Sequence, residues 1–264
     1  MAGPYWDQAF NPIRGCTPIS PGCQNCWARS MHERFRKEPF TDVVCLPEAL
    51  SKPLHWRKPR VVFIDCADLF HEKVPDTFIE AVFGVMHQCP QLTFLICTKR
   101  AERMRQWVTS HTMESCLAEW TVRAHYLPQR TEDRALKNLP AGWEWPPPNV
   151  WLGVTAENQA MADERIPLLL ATPAAHRWVS IEPALSMVQH AGLADVDQIV
   201  WGAESGRGMR MASKLWARDL LDDMNDTATS VFIKQIHDDN DRLVTDPALF
   251  PPDLRVRDLA WRLP

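Results

Sequence analysis

Six short apolar runs, rich in β-branched and aromatic residues, recur along the chain, and each ends in polar residues. Val61-Val62-Phe63-Ile64 leads to Asp65 and Asp68, and Leu92-Thr93-Phe94-Leu95-Ile96-Cys97 to Thr98, Lys99 and Arg100. Val150-Trp151-Leu152-Gly153-Val154 leads to Glu157 and Asn158, and Trp178-Val179-Ser180-Ile181 to Glu182. Ile199-Val200-Trp201-Gly202 leads to Glu204 and Ser205, and Val231-Phe232-Ile233 to Lys234 and Gln235. Continuous apolar runs of this length suit strands buried on both faces, hence a parallel sheet. Helical periodicity separates several of them. Asp76 to Gln88 carries Phe78, Ile79, Val82, Phe83 and Met86 on one face. Glu157 to Ala171 reads as a helix that Pro167 kinks or splits. Ser213 to Asn225 starts at a good cap and turns Leu215, Trp216, Leu220, Leu221 and Met224 inward. With a further strand near Phe10 to Ile13, the alternation predicts an α/β fold: a TIM-like (β/α) barrel, closed or partial, with an open doubly wound sheet as the second choice. One domain over residues 1–264 is expected, with a helical insertion at about 109–148 closed by a stiff proline-rich approach, and a proline-rich tail from Arg242 that packs across the barrel without extending the repeat.

One stretch fits neither period. Residues 11–27 hold Cys16, Cys23 and Cys26 in a C-x6-C-x2-C spacing, punctuated by Pro12, Gly15, Pro18, Pro21 and Gly22. Such a run is neither a helix nor a paired strand; it is a loop that converges its thiols. A short helix, Ala28 to Lys37, follows, so Cys26 sits near a helix N-terminus, where the dipole favours thiolate. A structural zinc site takes four protein ligands, so three cysteines need a distant His or Cys to complete it. An iron–sulfur cube held by three leaves one iron open. Buried, incidental thiols are the third reading. The count of three favours the open cluster.

Composition narrows the class. The chain of 264 residues can bury a full core, and 45% hydrophobic with 23% charged residues is ordinary for a water-soluble fold. No apolar run approaches a membrane span and the start does not read as a signal peptide, which predicts a cytoplasmic protein without a membrane partner. Eight cysteines without a regular framework fit reduced thiols and a metal site. A net charge of −4 does not announce a nucleic-acid binder. Local clusters do differ: Arg29, Arg34, Arg36 and Lys37; Lys52, Arg57, Lys58 and Arg60; Lys99, Arg100, Arg103 and Arg105. These are solvated faces or a basic rim for phosphate-bearing substrates. Most of the twelve tryptophans belong to the core, with some free to stack on bases. In a (β/α) barrel the polar strand ends and the cysteine loop all open on one face, where sites are built. Gly202 to Gly208 is glycine-rich but is neither a phosphate loop nor a dinucleotide fingerprint. His71-Glu72 lacks the second histidine of a zinc protease, since Pro75 stands there, although Asp65, Asp68 and His71 keep a metal-dependent hydrolase as a third option.

Trp6 with Asn11-Pro12, Gly15-Cys16, Ser20-Pro21-Gly22-Cys23 and Asn25-Cys26-Trp27-Ala28, and then Asp68-Leu69-Phe70-His71, Thr98-Lys99-Arg100, Asn149 to Val154, Glu182-Pro183 and Gly202 to Gly206, resemble the three-cysteine phage protein family of phages and bacteria. That family in turn resembles the radical S-adenosylmethionine enzymes. The resemblance implies a partial barrel in which Cys16, Cys23 and Cys26 hold a [4Fe–4S] cluster, S-adenosylmethionine chelates the open iron, and reductive cleavage gives a 5′-deoxyadenosyl radical. Two departures stand out. The first cysteine gap is six residues, where the usual motif has three, and the aromatic residue follows the last cysteine, as Trp27.

The expectation is therefore a radical S-adenosylmethionine-like iron–sulfur enzyme acting on a nucleotide or nucleic acid and served by an external electron donor. Glu157, Glu182 and Glu204 are the candidates for ribose or amino-group contacts, and Lys99, Arg100 and Lys234 for carboxylate or phosphate contacts. The alternative is a non-enzymatic, phage-related protein that binds nucleic acid or a partner and is stabilised by zinc or a saturated cluster.

Overall fold

A computed structural model describes residues 5–124 and 144–262 of the chain. Its main sheet has eight strands: β1 (Gln8–Ala9), β4 (Arg60–Phe63), β5 (Leu92–Thr98), β6 (Val150–Thr155), β7 (His176–Ile181), β8 (Gln198–Gly202), β9 (Ser230–His237) and β10 (Leu243–Val244), side by side in that order. All neighbours are parallel except β9 and β10. Two short strands, β2 (Ile13–Arg14) and β3 (Val44–Cys45), form a separate antiparallel pair.

Each crossover advances one strand in the same direction and the order never reverses. This removes the doubly wound alternative, which requires a switch point. The sheet curls strongly. Phe63 on β4 and Trp178 on β7 have ring centroids 5.7 Å apart, although they stand three strands apart and strands lie about 4.8 Å from one another in a flat sheet. No pairing joins β1 to β10 among the described residues, so the curl is that of a half-barrel.

The period of two along each strand sorts side chains onto two faces. Val62, Phe94, Ile96, Leu152, Val154, Val179, Ile199 and Val231 face outward into the larger core, where they meet the helices. These include α2 (Asp76–His87), α3 (Ala101–Ser110), α4 (Met113–Ala124), α5 (Gln159–Leu170) and α6 (Lys214–Met224). Val61, Leu95, Trp151, Trp178, Val200 and Phe232 face inward with Tyr5, Trp6 and Trp261, and plug the concave side. Trp261 comes from the tail, and its indole donates to the Tyr5 carbonyl at 3.2 Å. Above this aromatic plug, toward the strand C-termini, the inward positions turn polar: Cys97, Thr155, Ser180 and Lys234.

Several expectations change. The first sheet strand is Gln8–Ala9, upstream of the run from Phe10, while Ile13 enters the small hairpin. Pro167 is carried inside α5, which runs unbroken to Leu170 from its cap at Asn158. Leu215 lies in the first turn of α6 and is 61% exposed. The tail does add a strand, β10, antiparallel at the sheet edge. Of the insertion expected at 109–148, Met113–Ala124 is helical and packs chiefly against α2; residues 125–143 lie outside the described residues.

Candidate active site

The cavity at the C-terminal ends of the strands has a volume of about 280 Å³. Cys16, Cys23 and Cys26 line it together with Lys99, Arg100, Glu182, Glu204 and Lys234. Eight of the nine residues predicted for the site thus meet there, and the ninth, Glu157, lies directly behind the cysteine loop. Helix α1 (Trp27–Phe35) begins after Cys26, which is its N-cap residue.

Three acid–arginine pairs grip the loop at three points. At its start, Asp68 accepts from Arg100 at 3.1 Å, from the Thr98 hydroxyl at 2.6 Å and from the backbone of Phe70 and Lys99. Arg100, fixed in this way and by Glu72 at 2.8 Å, donates to the carbonyl and hydroxyl of Thr17 and approaches the Cys16 sulfur at 3.8 Å. In the middle, Glu157 is fully buried. It accepts from the Ser20 hydroxyl, from Gly22 N–H at 3.0 Å and from Arg165 at 2.9 Å. A Cβ on Gly22 would stand 2.9 Å from the Glu157 carboxyl, so the loop passes there only as glycine. At its end, Glu204 pairs with Arg210 and accepts from the Asn25 amide at 3.0 Å; Arg210 also donates to the Pro21 carbonyl at 3.1 Å. The glycine-rich stretch turns at Gly206 and Gly208 and so brings Arg210 back to Glu204.

Glu182, Lys99 and Lys234 behave differently. Glu182 lies 2.7 Å from Lys234 and accepts from the Tyr5 hydroxyl at 3.2 Å, without touching the cysteine loop. The Lys99 ammonium makes no hydrogen bond or ion pair among the described residues, yet it lies close enough to Cys23 to act on its thiol. Burial pushes Cys23 up, but Lys99 and the backbone N–H groups of the loop outweigh it, and the thiol ends below its ordinary value. Cys16 goes the other way, raised by burial and by Asp68. Burial raises Glu157 and Glu204, but Lys99 and Arg165 for the first, and Arg210 for the second, hold both below the ordinary carboxylate range. Cys97 is pushed up to about 12 by burial, and Cys66 is also raised.

These contacts correct two expectations drawn from residue type. Glu157, Glu204 and Arg100 have their polar capacity taken up by the loop, so a direct ligand contact is not their first role. The basic clusters do not form one rim. Lys52, Arg57 and Lys58 precede β4 and therefore lie toward the opposite end of the sheet; Arg103 caps the carbonyls of Phe70, His71 and Val74, and Arg105 pairs with Glu102. Of the clustered cations only Arg29, Arg36 and Lys37 line a groove next to the cavity, together with Glu33 and Glu38, and the groove meets the cavity at Phe40. Asp68 and His71 are likewise engaged, His71 with the Thr17 hydroxyl at 2.8 Å. Sequence reasoning missed Tyr5, Asn25, Arg165 and Arg210. The two arginines left a trace: each follows its glutamate by less than ten residues. Asn25 was in view only as part of the Asn25-Cys26-Trp27-Ala28 motif, without a role, and Tyr5 left no trace.

The thiols suit a cluster by their chemistry. None is in a disulfide, and all three face the same space from a loop that other side chains already fix. Among the described residues no three His, Cys, Asp or Glu side chains converge as the ligands of a single ion do. A cube asks for something else, one thiolate at each of three separate irons.

No curated protein and no solved structure matches the chain. The model of one family does, over residues 4–245, and the chain therefore belongs to the family described as Protein of unknown function (DUF5131).

Proposed function

We propose that this protein is an iron–sulfur enzyme of the radical S-adenosylmethionine type, acting on a nucleotide or nucleic acid. One observation carries the reading: three free thiols, braced by three acid–arginine pairs, face a polar cavity at the C-terminal mouth of a parallel half-barrel. Cys16, Cys23 and Cys26 are the residues that would hold the cluster. When bound, such a cluster supplies one-electron reduction of the sulfonium of S-adenosylmethionine, with electrons from an external donor. Lys99 offsets the negative charge of the thiolates, most directly at Cys23. The aromatic plug beneath the cavity closes it from the sheet side. Arg29, Arg36 and Lys37, in the adjoining groove, supply the positive charge that a phosphate-bearing substrate needs.

A second reading, a binding protein built on a saturated metal centre, is favoured by Cys66, a fourth thiol lining the same cavity. Low-temperature EPR of anaerobically reconstituted, reduced protein separates the two. A [4Fe–4S]⁺ signal that changes when S-adenosylmethionine is added, and that Cys16→Ala, Cys23→Ala and Cys26→Ala each abolish while Cys66→Ala does not, is the expected result. One tightly bound zinc, lost in Cys66→Ala, would overturn the enzyme reading in favour of the second.

A further inference from the structure

Four acid–base pairs lie at this end of the sheet, and three of them hold the cysteine loop. The fourth, Glu182 with Lys234, holds nothing of the loop. Both side chains stand on the inward face, one at the end of β7 and the other within β9. Glu182 Oε2 is shared by the Tyr5 hydroxyl at 3.2 Å and Ser180 at 3.4 Å. Its buried Oε1 pairs with the Lys234 ammonium at 2.7 Å, and 13% of the acid's side chain stays exposed at the cavity. Lys234 is 27% exposed in its side chain and its ammonium lies 5.8 Å from the Tyr5 ring centroid. Gly202 makes room for the acid, since a Cβ there would stand 2.8 Å from Oε1. The rest of this end of the cavity is aromatic: Tyr5 and Trp6 each pack on Phe63, at 5.9 and 6.1 Å, and all three line the space.

A carboxylate beside an ammonium, with the rings of Trp6 and Phe63 along the same space, suits a planar heterocycle whose edge sets an N–H donor next to an acceptor. Nucleobases have such edges, and their faces stack on aromatic rings irrespective of sequence. The adjoining groove, which meets the cavity at Phe40, has three cations, Arg29, Arg36 and Lys37, against two carboxylates, Glu33 and Glu38, a net positive balance for a phosphate. Trp27, 45% exposed at the cavity mouth, offers a further face. An enzyme that works on a base must take it out of the stack into a pocket of this kind.

We infer that the floor of the cavity, built from Tyr5, Trp6, Phe63, Ser180, Glu182 and Lys234, is the substrate subsite and receives a single nucleobase. This rests on the reading of the cavity as an active site, but not on the identity of the metal.

The test is isothermal titration of the purified protein with the four nucleoside 5′-monophosphates, with a short single-stranded DNA, and with adenosine and S-adenosylmethionine. The variants are Glu182→Gln, Lys234→Met and the double variant, which removes both charges together and keeps the site neutral. Saturable binding of a monophosphate or of the DNA is expected, weakened about tenfold or more in each single variant, as for loss of a charge-assisted hydrogen bond. The two arms separate a free nucleotide from a base within a strand. Iron content, measured on the same samples, should match the wild type in all three variants, because none of them touches the loop. Protein that takes up no iron on anaerobic reconstitution but still binds the base leaves this inference standing and sinks the cluster reading. Folded variants that bind as the wild type does, a wild type that binds neither monophosphate nor DNA, or binding confined to adenosine and S-adenosylmethionine would each overturn the subsite.

Discussion

Glu157 and Glu182 follow neighbouring strands, β6 and β7, and their surroundings drive them to opposite uses. Glu157 has no exposed surface, and its oxygens are taken by Ser20, Gly22 and Arg165. Glu182 keeps 13% of its side chain exposed, and its Oε1 pairs with Lys234 at 2.7 Å. Both are strand-end glutamates on a half-barrel, both sit against a glycine, and both have a cationic partner. The difference lies in what the partners attach to. Arg165 belongs to α5, behind the loop, so Glu157 ties loop to scaffold. Lys234 belongs to the sheet itself, so the Glu182 pair ties nothing that moves and faces the cavity. A charged residue at a barrel mouth is thus a brace when its partners join loop to scaffold, and is left facing the cavity when its partner belongs to the sheet.

The largest expected effect falls on the brace. Glu157→Gln leaves Arg165 buried, 1% exposed, beside a neutral amide. Breaking a buried pair from one side costs about 3–5 kcal/mol. Denaturant unfolding should show that loss, and hydrogen exchange should show loosened protection across residues 16–26; unchanged exchange there would separate Glu157 from the loop. The same pair sets a pH dependence. Glu157 and Glu204 are held below the ordinary glutamate value of 4.5. Their contribution is therefore complete above that value and is lost as pH falls through the depressed native values. The stability advantage of wild type over Glu157→Gln should stay constant from neutrality down to about pH 4.5 and shrink below it. An advantage that shrank as pH rose would contradict the ion-pair account.

Gly22→Ala should act on the same brace with a smaller effect. The new methyl would meet the Glu157 carboxyl, which three partners hold in place, so the loop must yield. Overpacking of this kind costs about 1–3 kcal/mol. Because Cys23 is the next residue, iron retention should fall with stability; iron loading equal to wild type would show that the loop positions its thiols independently of Glu157.

Much of this was legible in the chain, and the illegible parts have physical reasons. Strands β4 to β9 are buried on both faces, so their apolar runs are continuous and easily read. β1 is two residues long, Gln8 and Ala9, at the sheet edge, and carries no such run. Leu215 follows the helical period of α6 but stands in a first turn that extends past the core. The strand-end charges were legible by type and position. Their partners were not, because the Asn25–Glu204 contact spans 179 residues and the Ser20–Glu157 contact spans 137. Only the fold brings such residues together, and it is the partners that divide the carboxylates into braces and binding groups.

Gly202→Ala gives the smallest effect and the cleanest separation of the two glutamates. Its methyl would crowd Glu182 Oε1, the far end of a side chain held only by bonds of 3.2 and 3.4 Å and by one ion pair. Here the acid can give way and the backbone stays, so the stability cost should be under about 1 kcal/mol. The displaced carboxylate would leave Tyr5 and Lys234, and nucleotide binding should weaken while iron content and loop protection stay at wild-type levels. Gly22→Ala should produce the reverse pattern, with the loop disturbed and the floor intact. If both alanines lowered iron and nucleotide binding together, loop and floor would be one coupled unit, and the division between Glu157 and Glu182 would fail.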